Sequence, residues 1–563
     1  MGDEGHAGHG VRGSGTDTVF LGGAVYTVDA ARRRAEAVAV RDGRIAAVGT
    51  DARIRELVGP RTEVVELRGR MLLPGFQDAH VHPAMGGLQL TRCDLSGLDT
   101  IAGYTGRVAA YAAGRADEQW ILGGGWSMPA FPGGVPHRGT LDAVTAGRPA
   151  YLPNRDGHSA WVNTRALELA GVSRETPDPP GGRIERDAAG DPSGALHESA
   201  MGLVGRILPG SSPRQKRDAL LAAQSYLHSL GITAWQDAAV GASVVSEDFL
   251  GTYLDLAESG ELTARVVGAL WWQRERGIEQ LDGLLERRER AAKTRGRFRA
   301  DSVKIMQDGV CETFTAAMLA PYLDAHGHET TNTGMSFVEP EALRAHVTRL
   351  DAEGFQVHLH ALGDRAVREA LDAVASARNA NGYNDNRHHL AHLQVIHPDD
   401  VPRFRRVGAV ANCQALWACN DAQMTELTVP FLGPERAARQ YPFASLEQAG
   451  AMLAMGSDWS VSSPNPFEQM HVAVNRLPVG SSDADVLLPA ERLPLSTALH
   501  AFTMGSAYVN HLDDVAGSIE VGKHADLVVA DHDLFAVPVT EIGAVRAVLT
   551  MVEGQVVHRA EDL

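Results

Sequence analysis

Hydrophobic and polar positions divide the chain into three textures. From Val19 onward, short segments of near-continuous or alternating apolar residues (TVFLGGAVYTVD, AVAVRDGRIAAVG, TEVVELRGRMLLPGF) are split by turn signals such as Asp42-Gly43, the pattern of strands and hairpins. The same texture returns near the other end, in GSIEVGKHADLVVADHD and AVRAVLTMVEGQVV. Both ends are therefore expected to pair into one small, discontinuous β-sandwich formed by residues 17–70 and 515–563. Between them, apolar strands alternate with helical stretches, the pattern of a parallel α/β sheet. Eight strand ends stand out: Gly75 to His82, Thr233 to Asp237, Val267 to Trp272, Val303 to Asp308, Gln356 to His360, His388 to His392, Ala409 to Gln414 and Ala451 to Asp458. Eight parallel strands predict a (β/α)8 TIM barrel over 71–514, with its chemistry at the C-terminal strand ends. Residues 95–230 are too many for one connection and are expected to form a mostly helical insertion over the barrel mouth.

Composition narrows the partners. The 563 residues are 44% hydrophobic, enough for a decorated barrel plus an accessory domain. A net charge of -18 repels phosphate backbones and anionic lipids, which argues against nucleic-acid and membrane partners. No apolar run reaches the roughly 20 residues that span a bilayer, and the opening MGDEGHAGHGVRGSG lacks the features of a secretory signal, so a cytoplasmic location is expected. Residues 1 to 16 read as a disordered tail, and His6 and His9 as part of it. Cys93, Cys311, Cys413 and Cys419 show no CxxC spacing, so any metal must be held by other side chains.

The strongest chemical signal is PGFQDAHVH, a strand that ends in His80 and His82. Spacing i, i+2 puts both imidazoles on one face, where two neutral nitrogens can share a divalent ion. His358 and His360 close another strand; the later residue lies nearer the mouth and is the expected ligand, with His358 packed below it. His392 ends the next strand, while His388, His389 and His397 read as structural. Asp458, in MGSDW after AGAMLAM, brings a carboxylate to the end of the last strand, opposite His80 and His82. Lys304 lies in the apolar strand SVKIMQDG, where an unpaired ammonium is costly. Two solutions stand side by side: a salt bridge to Asp308 or Glu312, or reaction of the neutral amine with CO2 to give an anionic carbamate ligand.

His80-x-His82, Lys304, His360, His392 and Asp458, taken in order, resemble the amidohydrolase superfamily. PGFQDAHVH, NRDGHSAWVN, VKIMQDGVCETFTAAM, HALGD and GSDWSVSSPNP are similar to the subgroup that includes N-substituted formamide deformylase. The resemblance runs from about residue 18 to 560. It implies that His80 and His82 bind a first ion, that Lys304 is carboxylated and bridges, that His360 and His392 bind a second, and that Asp458 is both ligand and proton carrier. Some relatives carry a small Gly-Ser-Arg patch where this chain reads Glu312-Thr313-Phe314, which puts Glu312 near the site and leaves one or two ions open, zinc being the expected metal.

The expected reaction is C-N cleavage of a small, partly apolar N-substituted amide by metal-activated water, with Asp458 moving the proton and His158 of NRDGHSAWVN donating to the oxyanion. Trp126, Trp417 and Trp459, with Glu312, are expected to line the substrate pocket. Opening of a cyclic amide or deamination of a ring is the alternative on the same scaffold. A non-catalytic metal-binding protein is the alternative of another class, and a homodimer is left open. No P-loop, no G-x-G-x-x-G after a strand and no G-x-S-x-G is present, so phosphate, dinucleotide and serine-hydrolase chemistry drop out.

Overall fold

The computed structural model describes residues 16–242, 247–294, 296–481 and 485–561. The expected amino-terminal tail, with His6 and His9, lies outside them except for Thr16. Eight parallel strands form one sheet: β1 (Phe76–Val81), β2 (Ile232–Val240), β3 (Arg265–Trp271), β4 (Phe298–Met306), β5 (Gln356–Ala361), β6 (His389–His392), β7 (Val410–Cys413) and β8 (Leu453–Met455). Each pairs with the next in chain order, as a barrel requires. Closure between β8 and β1 falls just beyond the short last strand. There the Asp458 amide donates to the His80 carbonyl at 2.7 Å, the His82 amide to the Trp459 carbonyl at 2.6 Å, and the Ser457 amide to the Asp78 carboxylate at 3.0 Å.

The crossover helices follow from their sequences. Helix Pro213–Ser229 opens on a Ser212/Gln215 capping box with Pro at its first position, which satisfies orphan amides at its start. Helix Asp364–Asn381 buries Ala366, Val367, Ala370, Leu371 and Val374, an apolar stripe at helical spacing that covers the outside of the barrel.

The two chain ends meet in a pair of packed sheets. One has the order Arg44–Gly49, Ala37–Arg41, Thr18–Leu21, Glu63–Glu66. The other has the order Gln555–Arg559, Ala547–Val552, Leu527–Ala530, Met71–Pro74, Ala24–Tyr26, Arg34–Ala35. Phe20, Val38, Leu72, Val529 and Leu549 fill the space between them. Strand Met71–Pro74 belongs to this second sheet and leads straight into β1, so the accessory domain holds the root of the strand that carries His80. Arg265 at the start of β3 ties the two units together through Asp526 and Glu553.

The insertion differs from the mostly helical expectation. It contains helices Ile101–Gly114 and Thr164–Ala170, but its centre is a six-stranded mixed sheet in the order Gly182–Arg186, Pro192–Glu198, Ser159–Val162, Ala150–Pro153, Ile121–Gly124, Cys93–Asp94. Most of these strands are four or five residues long or shorter. Interruption by Gly and Pro hides such short strands from any period-2 signal.

Gly456 sits at the closure, where a Cβ would come within 2.5 Å of the His80 Cβ and 2.7 Å of its amide nitrogen. Gly456→Ala must therefore push β8 away from β1. A loss of about 1–3 kcal/mol in unfolding free energy is expected, the usual cost of forcing a methyl into a packed interior. A denaturant midpoint equal to that of the unsubstituted protein would show that the closure tolerates the separation.

Candidate metal centre

β1, β5, β6 and the end of β8 aim their last side chains at one point. His80 Nε2 lies 3.1 Å from Asp458 Oδ1, and His82 Nε2 lies 2.9 Å from the same oxygen. His392 Nδ1 lies 3.8 Å from Asp458 Oδ2. Donor atoms of His80, His392 and Asp458 all fall within 4.8 Å of one another. The His360 ring stands 4.4 Å from that of His392, centroid to centroid. Every one of these side chains except His82 is buried.

The hydrogen-bond inventory of this cluster does not close. Asp458 Oδ1, His82 Nδ1, His392 Nδ1 and Lys304 Nζ are buried and have no hydrogen-bond partner. Close approach of imidazole nitrogens to a carboxylate without hydrogen-bond geometry, beside orphaned polar atoms, is costly for a self-contained polar network. A divalent cation removes the conflict, and the donor set of imidazoles and carboxylate suits zinc or a similar ion. The residues present therefore fit such an ion.

Lys304 follows neither salt-bridge option. Among the described residues it pairs with neither Asp308 nor Glu312, and burial pushes its amine down to about 7 although Asp458 and Asp308 pull the other way. Asp308 instead lies 3.0 Å from His360 Nδ1 and accepts the amides of Leu362 and Gly363, which turns His360 toward the cavity. Burial also holds His80, His360 and His392 far below the usual imidazole range, and neighbouring cationic groups add to the effect, so their neutral, metal-binding forms prevail. Burial alone would raise the Asp458 carboxyl, yet His82, His392 and Lys304 outweigh it and keep it below the ordinary carboxylate range.

These groups form the floor of a cavity of about 520 Å³. Its walls include Met85, Trp271, Met306, Phe337, Leu362 and Trp417. The insertion contributes His158, whose Nδ1 lies 2.9 Å from Glu198 Oε1. Burial works against its charge, but Glu198 prevails and the imidazole is pushed up to about 9, so it is cationic at neutral pH. Glu198 is fixed in turn by the Thr315 hydroxyl at 3.0 Å.

Of the four residues expected in the pocket, Trp417 lines the cavity and stacks on His392 with ring planes 6° apart. The other three need correction. Trp126 is buried in the insertion between Phe131 and Trp161, with its Nε1 donating to the Leu152 carbonyl at 2.7 Å. Trp459 points away from the cavity and packs under Gly86 and against Tyr226. Glu312 does not line the main cavity; it faces an adjoining recess of about 110 Å³ that shares Trp417 and Leu362 with it, where it accepts from Gln423 and Thr428. Sequence reasoning missed Glu198, which holds His158 at the cavity wall. Only the GALHE segment ending in Glu198 offered a hint, a carboxylate closing an apolar strand.

A barrel with paired histidines on β1, further histidines on β5 and β6 and an aspartate after β8 defines a class of hydrolase-like metal centres. The amidohydrolase family model matches residues 63–558, and the chain belongs to that family. Protein LONG AFTER FAR-RED 3 of Arabidopsis thaliana is 32% identical over 519 residues, covering 91% of this chain and 87% of that protein. N-substituted formamide deformylase of Arthrobacter pascens is 26% identical over 561 residues, 96% of this chain and 97% of its own. A crystal structure described as an uncharacterized metal-dependent hydrolase from Pyrococcus furiosus superposes with a TM-score of 0.69 at 25% identity, covering 92% of this chain and 99% of that one. Among the described residues no helix is long and apolar enough to cross a membrane.

Binding of a divalent ion to the folded chain alone must stabilise it. At an ion concentration of about 1,000 times Kd the gain is about 4.1 kcal/mol. The thermal midpoint is therefore expected to fall on treatment with a chelator and to recover on adding zinc, while the His80→Asn/His82→Asn double variant shows neither change. A midpoint indifferent to chelator and ion in the unsubstituted protein would remove this cluster as a metal centre.

Proposed function

We propose that this protein hydrolyses the C-N bond of a small, partly apolar N-substituted amide, a formamide-like compound being the leading substrate class. The observation that carries the reading is the convergence of His80, His82, His360, His392 and Asp458 with the unpartnered Lys304 on the floor of one cavity walled by aromatic and thioether side chains. His80, His82 and Asp458 would hold one ion, zinc by donor type; His360 and His392 would hold a second, with Lys304 as a carbamate between the two. That carbamate forms when the neutral amine adds to CO2 and loses one proton, and burial of Lys304 favours the neutral amine. A divalent ion held there polarises a carbonyl and brings the pKa of a water down to about 7.

The remaining steps belong to the chain itself. Asp458 takes a proton from the attacking water on a carboxylate oxygen and returns it to the departing nitrogen, so that amide and water leave as acid and amine. Its ionised state between two imidazoles equips it for the first transfer. His158, kept cationic by Glu198, offers an N–H to the oxygen that gains charge in the tetrahedral stage. Trp417, Phe337 and Trp271 accommodate an alkyl or aryl group on the amide nitrogen, and their bulk keeps water from the rest of the cavity. The kinship with the formamide deformylase supports the substrate class.

The test is release of amine from a panel of N-alkyl and N-aryl formamides, the matching acetamides, cyclic amides and amino-substituted rings. Exocyclic amides are expected to react, formamides fastest. Opening of ring substrates with no exocyclic cleavage would transfer the assignment to a cyclic amidohydrolase or deaminase. Asp458→Asn is expected to lower kcat by about 10²–10⁴, the usual range for a lost general base or acid, with the ion still present by elemental analysis. Undiminished turnover in that variant with metal retained would end the proton-carrying role.

A further inference from the structure

We propose that Gln356, Gln236 and His358 form a relay of oriented hydrogen bonds that fixes the His80 proton on Nδ1 and thereby delivers the Nε2 lone pair to the ion site. These are positioning residues, not ligands, and the inference rests on reading the cluster as a metal centre.

The relay begins below the site, at two main-chain oxygens that only accept. Gln356 Nε2 lies 2.8 Å from the Val509 carbonyl and 3.0 Å from that of Arg387, so the amide NH2 faces down and Oε1 faces up. Gln236 Nε2 donates to that Oε1 at 2.9 Å, which leaves Gln236 Oε1 as an acceptor. Into it point His358 Nδ1 at 2.7 Å and His389 Nε2 at 3.0 Å. Both imidazoles must therefore carry their protons on those atoms. A neutral ring has only one N–H, so His358 Nε2 is an acceptor. It lies 2.7 Å from His80 Nδ1, which must donate, and His80 Nε2 is then bare where it meets Asp458 Oδ1 at 3.1 Å. Lone pair and carboxylate oxygen repel each other at that distance unless a cation stands between them.

A second path gives the same proton assignment independently. Asn412 Nδ2 donates to the Ala79 carbonyl at 2.9 Å and lies 3.1 Å from His389 Nδ1, which makes that nitrogen an acceptor and leaves the His389 proton on Nε2. The Gln236 branch requires the same tautomer. Register explains the contact: Lys304, His358 and His389 stand side by side on β4, β5 and β6, one layer below His360.

The competing arrangement is a doubly protonated His358, with the His80 proton on Nε2 facing Asp458. His358 is fully buried, its two ring nitrogens touch only Gln236 and His80, and among the described residues no carboxylate pairs with it. A buried charge without a counter-ion is the costliest state available to it.

The deciding measurement is the tautomer itself. In protein labelled with ¹⁵N in the imidazoles and stripped of metal, long-range ¹H–¹⁵N correlations are expected to show His80 and His358 as Nδ1–H forms, with the signals assigned by their loss in His80→Asn and His358→Gln. A His80 proton on Nε2 would overturn the proposal. Zinc affinity, read by competition with a chromophoric chelator, supplies the second test. His358→Leu removes the acceptor and is expected to weaken binding about 10- to 100-fold, the usual effect of losing an outer partner of a ligating histidine. His358→Gln restores an acceptor toward His80 Nδ1 and is expected to bind within a few-fold of the unsubstituted protein. Equal affinity in the Leu variant, or a Gln variant as weak as Leu, refutes the relay. Nδ1–H forms in an unsubstituted protein that binds no metal would uphold the relay and strike the metal reading alone.

Discussion

The hydrogen bond from the Asp458 amide to the His80 carbonyl is the point on which fold and site both turn. It closes the barrel where β8 has already ended as a regular strand, and it fixes the separation between the carboxylate and the paired imidazoles. Asp78 works beside it, accepting the amides of both His80 and Ser457 across the seam. Because these bonds join the first and last barrel strands, a displacement of the accessory domain, which holds the root of β1, reaches the donor atoms directly. Only glycine at 456 allows the two backbones to come this close.

The buried carboxylates near the site divide by what surrounds them. Burial raises Asp78 and Asp308 to about 7, against the pull of amide hydrogen bonds. Asp458 is as deeply enclosed but stands among His82, His392 and Lys304 and stays ionised. One aspartate is thus kept charged while the other two serve as acceptors that orient backbone and imidazole. Such divergence among neighbouring carboxyls is how a single environment assigns different roles to one residue type.

The sequence made the barrel legible because five of its eight strands carry, at or near their ends, residues that have no place in a lipid-like core: His80 and His82, Lys304, His360, His392, Asp458. A polar residue at the end of an apolar run is a signal that survives without any partner being known. Partners are not legible in that way, since Gln236, Glu198 and Asn412 look like ordinary strand residues until the ring closes. Nearness in sequence misled for Trp459: the backbone turns at Asp458, whose φ is 55°, and carries the next side chain away from the cavity to pack beneath Gly86. Glu312 lies in a short helical turn whose direction no periodicity fixes, and the turn carries it behind Trp417. In the insertion, Trp126 had the company of Trp161 and Phe131, which makes a core by itself.

Backbone strain is also present at two of these strand ends. His392, Leu393 and Asp458 adopt φ of 81°, 54° and 55°, in the region that side chains disfavour. Each such residue costs on the order of 1–3 kcal/mol and persists only where its surroundings leave no alternative. Here the surroundings are specific: Gln414 Oε1 accepts the His392 amide at 2.6 Å, the Leu393 amide donates to the Ala361 carbonyl at 3.0 Å, and Asp458 is held by His80. The turn has a use. A chain that continued as a strand past His392 or Asp458 would send the next side chain outward and extend the barrel wall, whereas a sharp departure leaves the donor as the last inward-facing group and frees the following residues to form the rim. At these two ends the departure lets strands of only four and three residues stop with their donors facing the cavity.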